Sequence, residues 1–128
     1  MQYKNNPLSP HLQIYKWQIS SLLSITHRIV GVINICAITL ICIWASSLLI
    51  GEKSYEFTES FLNSFFGKFI LIFLCWTFSF HILNELRHLA WDAGYGFDLK
   101  VANITGIVVF LGSFVLTIIF YLTGKNIF

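Results

Sequence analysis

The eight Lys and Arg and six Asp and Glu residues of this 128-residue chain all stay out of three stretches, 29–50, 69–84 and 101–124. These blocks hold 22, 16 and 24 residues. An apolar run of about 18 or more uncharged residues reads as a membrane helix. At 1.5 Å per residue the first block spans about 33 Å, enough for a hydrocarbon core of about 30 Å. The second reaches only about 24 Å. Residues 61–67 before it are also uncharged, so Lys68 can snorkel while the helix extends below it. Glu85 and Arg87 close this block on its far side.

Composition agrees with the pattern. Only 11% of the residues are charged and 56% are hydrophobic, whereas soluble domains carry about 25% charged residues. A soluble globular domain, a disordered tail and a nucleic-acid binder are all excluded. A net charge of +2 gives no surface for a polyanion. The expected fold is an all-α membrane protein in one domain, 1–128. Its three transmembrane helices are expected at about 21–50, 62–91 and 101–124 in the lipid bilayer.

Orientation follows from the cations. Lys4, Lys16, Arg28, Arg87 and Lys100 fall on one side, and Lys53, Lys68 and Lys125 on the other. The excess favours the N-terminus inside. Residues 51–60 read as a polar turn, and residues 92–100 as a loop built on Gly94 and Gly96. Residues 1–16 are polar, carry Pro7 and Pro10, and resemble neither a secretory signal nor an organellar presequence. The chain is expected to enter its membrane as synthesised. Cys36, Cys42 and Cys75 lie in the apolar blocks without C-x-x-C spacing, so they read as buried small hydrophobes.

The chemistry lies with the histidines. His81 stands four residues inside the Glu85 boundary, and an ionisable residue within a membrane is a functional candidate. The competing reading is a simple interhelical hydrogen bond. His81, Glu85 and His88 recur at i, i+4 and i+7, on one helix face. On the first helix Ser20, Ser24, His27, Arg28 and Gly31 form a second such face, small enough for close approach of a helix or a flat ligand. A mid-helix histidine with arginine and histidine about two turns nearer the surface suits haem. Imidazole binds the iron, and guanidinium meets the anionic propionates. The alternative for Arg28 is ordinary positive flanking of a membrane helix. Trp17, Tyr15 and Trp91 read first as interfacial anchors.

These residues carry a family resemblance. Ser9-Pro10-His11-Leu12, Ile14-Tyr15, Leu23-Ser24-Ile25-Thr26-His27-Arg28 and Gly31-Val32 resemble the succinate dehydrogenase cytochrome b556 family of large membrane-anchor subunits. So does the segment from His81-Ile82-Leu83-Asn84-Glu85-Leu86-Arg87-His88-Leu89 to Trp91-Asp92 and Gly94. S-x-x-H-R on one helix combined with H-x-x-x-x-x-R-H on the next is a specific pairing, and the resemblance covers nearly the whole chain.

The resemblance implies that His81 is the axial ligand of a b-type haem. It implies that Ser24 and Arg28 line a ubiquinone site, and that His27, Arg28 and, more weakly, His88 meet the haem propionates. Two positions depart from the pattern. Asn6 stands where the family usually has arginine, and Glu85 where it commonly has glycine. Candidate partners for the Glu85 carboxylate are Arg87, Lys100 or a second chain.

The expected assembly is half of a heterodimeric haem-binding anchor bundle. A second small anchor chain would supply the other haem ligand, because the one competitor, His27, is placed away from the depth of His81. No G-x-G-x-x-G and no cluster-binding cysteine set is present. The chain is therefore no enzyme by itself, and the resemblance implies separate flavoprotein and iron-sulfur subunits that pass electrons from succinate to quinone. The alternatives are a related fumarate reductase anchor and a haem-free structural anchor. A bacterial inner membrane is expected, or the mitochondrial inner membrane for an organelle-encoded chain.

Overall fold

The computed structural model describes residues 16–127, with side chains to residue 124. The N-terminal motif from Ser9 to Tyr15 and the departure at Asn6 lie outside the described residues. Four helices follow in order: α1 (Ile19–Ile50), α2 (Glu52–Asn63), α3 (Phe65–Asp92) and α4 (Leu99–Ile127). Among the described residues there is no strand. Ile19–Ile50, Phe65–Asp92 and Leu99–Gly124 are long and apolar enough to cross a membrane. Their ends fall within three residues of those expected from charge alone.

The polar turn expected at 51–60 is instead the short helix α2. Gly51, at φ 137°, breaks the chain out of α1, in a region open to glycine alone at little cost. Glu52 then sits in the first turn of α2, where a carboxylate complements the helix dipole. Ser54, Tyr55, Thr58 and Leu62 are half-buried at helical spacing, while Glu52, Lys53, Glu56 and Glu59 are exposed. A helix of 12 residues is marginal alone, so its packing on α1 and α3 decides the outcome.

Ser64 caps the next helix, its hydroxyl accepting from the Gly67 amide at 3.1 Å. Gly67 is required by space. A Cβ there would overlap the Phe61 carbonyl oxygen and approach that of Leu62 to 2.7 Å. The α3–α4 loop forms as expected, with Gly94 and Gly96 at positive φ. Trp91 Nε1 donates to the Gly96 carbonyl at 3.2 Å and closes it.

The interior is small and unusually polar. Among the described residues, Leu23, Val30, Phe80 and Val109 are its buried apolar members. Ser47, Thr77, Ser79, Asn84, Arg87, Ser113 and Thr117 are also buried. Lipid is as apolar as leucine, so helix interfaces in membranes favour small residues and internal hydrogen bonds. Ser79, Ser113 and Thr117 donate to carbonyls of their own helices, which satisfies them without a partner. Thr77 and Asn34 tie α3 to α1 at 2.9 Å.

Cys36 and Cys42 are exposed, not buried as expected; Cys75 is half-buried. Their apolar character places them on outward faces that meet lipid, where burial in protein is unnecessary.

At the other end of the bundle Arg87, 7% exposed, joins α3 to α4. Its Nε donates to Thr105 Oγ1 at 3.1 Å. Nη2 donates to the Ala102 carbonyl at 2.8 Å. The guanidinium carbon lies 4.1 Å from the Trp91 ring centre, a cation–π distance.

Candidate functional site

The α1 start, the α3 end and the α4 start meet at one end of the bundle, and the histidines gather there. His27 projects from α1 onto a single face of α3. Four side chains receive it: His81, Asn84, Glu85 and His88, at i, i+3, i+4 and i+7 of that helix. The His27 and His81 ring centres are 4.4 Å apart, edge to face. Those of His27 and His88 are 5.4 Å apart and stacked. His27 is thus wedged between the two histidines of α3.

Both His27 nitrogens are engaged. Asn84 Nδ2 lies 3.1 Å from Nδ1, and Glu85 Oε1 lies 3.0 Å from Nε2. With the Asn84 amide nitrogen donating, Nδ1 accepts and the ring proton sits on Nε2, where it is donated to Glu85. Within this chain Glu85 meets His27 rather than Arg87 or Lys100, the partners expected for it here. Arg87 is turned away into α4, where its hydrogen bonds to Thr105 and Ala102 hold it.

His27 and His81 also share one depth, contrary to the separation expected along the helices. The reason is the crossing of α1 and α3. A Cβ on Gly31 of α1 would stand 3.7 Å from His81 Cε1, so the glycine brings the α1 backbone close to that ring. Two imidazoles in edge contact leave no room for a macrocycle between them.

His81 keeps an unused donor atom. Its Nδ1 is buried with no hydrogen-bond partner among the described residues. The ring also stands at one end of an apolar groove of about 720 Å³ between α1 and α3, within the usual range for cofactor sites. Gly31, Asn34, Trp44, Leu71 and Phe78 help to line it. His27, His81 and Glu85 each offer one ligand atom, all within 4.8 Å of one another.

The face predicted on α1 divides in two. His27 and the buried Leu23 and Val30 turn inward, while Ser24 and Arg28 are exposed. Ser24 and Arg28 therefore flank the cluster without entering it. Asn84 is the site residue missed at sequence level; its signal was an amide beside Glu85 inside an otherwise apolar block.

Fold and site together define a small helical membrane subunit with an ionisable site inside its bundle. Residues 2–120 match the succinate dehydrogenase/fumarate reductase transmembrane subunit family, and the chain belongs to it. The chain is similar to the succinate dehydrogenase cytochrome b556 subunit of Rickettsia felis, with 40% identity over 119 residues, 93% of each chain. It is 34% identical to the cytochrome b556 subunit of Paracoccus denitrificans, over 90% of this chain and 88% of that one. The cytochrome b560 subunit of Reclinomonas americana is 38% identical, over 90% of this chain and 83% of its own.

Proposed function

We propose that the chain is the membrane-anchor cytochrome b subunit of succinate dehydrogenase, with His81 as an axial ligand of b-type haem. The buried, unpartnered Nδ1 of His81 beside a cofactor-sized groove carries this reading. A buried polar atom without a partner is costly, and an imidazole awaiting a metal explains one. The donor set fits haem: an imidazole, an apolar wall and cationic groups nearer the helix ends. When bound, haem supplies one-electron transfer.

The chain's own residues do the rest. Gly31 lets the α1 backbone pack close to the His81 ring. Arg28 and His88, with His27 packed between His81 and His88, form the side towards the propionates. Ser24 and Arg28 are exposed near the start of α1 and offer a hydroxyl and a guanidinium to the oxygens of ubiquinone. A second small anchor chain would supply the other haem ligand. Flavoprotein and iron-sulfur subunits complete the complex, in a bacterial or mitochondrial inner membrane with the N-terminus inside.

A fumarate reductase anchor is the second reading, since the family covers both complexes. The direction of electron flow is set by potentials outside this chain. The test is the reduced-minus-oxidised spectrum of the purified complex. A b-type band is expected in the native complex and its loss in His81→Ala. A band unchanged by that substitution would refute the assignment.

A further inference from the structure

We infer that Glu85 is a positioning residue that fixes His27 against His81 and sets the potential of the haem; this rests on the axial role proposed for His81. The geometry is a chain of contacts across one face of α3. Glu85 Oε1 holds His27 Nε2 at 3.0 Å, and Asn84 holds the opposite nitrogen at 3.1 Å. The ring they hold packs edge-on to His81. The two adjacent residues, Asn84 and Glu85, thereby fix the position and tautomer of His27, and His27 forms one wall of the space around the His81 imidazole.

Three consequences follow. First, with both nitrogens occupied, His27 has no free donor for a propionate, and that task falls to Arg28 and His88. Second, the carboxylate lies close to the proposed ligand: its oxygen and a His81 ring nitrogen are within 4.8 Å. A negative charge there favours the oxidised, more positive form of a haem, and hydrogen bonds around a ligand tune both its orientation and its potential. Third, a glycine at this position could do neither. Glu85 therefore gives the haem a lower potential and the ligand a more rigid setting than a glycine here would.

The contact is half open. The Glu85 side chain is 52% exposed, whereas that of His27 is 14% exposed. Removing the carboxylate therefore need not disturb the helix packing, which makes substitution practicable.

The experiment uses the complete membrane complex, with redox titration of the haem and low-temperature electron paramagnetic resonance. Glu85→Gln keeps an acceptor for His27 Nε2 and removes only the charge; an upward shift of the midpoint potential with full haem content is expected. Glu85→Gly removes acceptor and charge together, and a similar shift with altered g-values is expected as the ligand loosens. A merely structural Glu85 would lower thermal stability and move neither signal. Unchanged potential and g-values in both variants would overturn the inference. Absence of a haem band from the native complex would overturn the function proposed above, and this inference with it.

Discussion

Replacing Arg87 with leucine separates a structural arginine from an anion-binding one. Arg87 is next to His88 in the sequence, where its charge alone suggests a role towards propionates. Its contacts run the other way, into α4. Two interhelical hydrogen bonds would be lost, to Thr105 and to Ala102. Each is worth about 0.6–1.7 kcal/mol in a membrane bundle. The contact over Trp91 adds about 1 kcal/mol. No orphan enlarges the loss. Thr105 Oγ1 still donates to its own helix, and the Ala102 carbonyl is 3.2 Å from that same hydroxyl. The expected cost is about 2–4 kcal/mol, or roughly 30- to 700-fold in the unfolding equilibrium. Lysine keeps at most one hydrogen bond and a weaker ring contact, so Arg87→Lys recovers about half. Unfolding in mixed micelles at rising SDS fraction, followed by far-ultraviolet circular dichroism, measures both. A leucine variant within about 0.5 kcal/mol of the native protein, below the cost of one such bond, would refute the reasoning. Normal stability combined with lost haem would assign Arg87 to the cofactor instead.

Gly67→Ala gains helix propensity of about 1 kcal/mol, yet the overlap with the Phe61 carbonyl reverses the sign. A net loss of about 1–3 kcal/mol is expected in the same micelle titration, and a stabilised variant would contradict the close approach at the α2–α3 junction. Ser24→Ala and Arg28→Leu should each lower quinone reduction while leaving succinate oxidation by an artificial acceptor intact. Equal loss of both activities would point to failed assembly and remove these residues from the quinone site.

The three spans were legible in the sequence because exclusion of charge is a property of long blocks, and the bilayer tolerates no other reading. Arg28, Glu85, Arg87 and Lys100 marked the limits of the uncharged blocks, and α1 and α3 run on past Arg28 and Arg87 by about two and a half turns or less. α2 was not legible. Its inward face is made of Ser54, Tyr55, Thr58 and Leu62, too polar to stand out from a turn. Histidine spacing put His81, Glu85 and His88 on one face, as the structure has them. It said nothing of the α1 crossing that seats His27 among them, because helix spacing relates residues of one helix and not of two. Exposed cysteines were misjudged for a related reason: in a bilayer, outward and apolar are compatible.

The polar interior has a thermal consequence. In a soluble domain, unfolding exposes apolar surface to water, and the resulting heat-capacity change bends stability into a dome with temperature. Here the apolar side chains face lipid before and after the helices separate, while Thr77, Asn34, Asn84 and Arg87 make the contacts that break. Separation of the helices therefore carries little change in heat capacity. The stability of this bundle falls almost linearly with temperature, with no optimum near room temperature and no tendency to come apart in the cold.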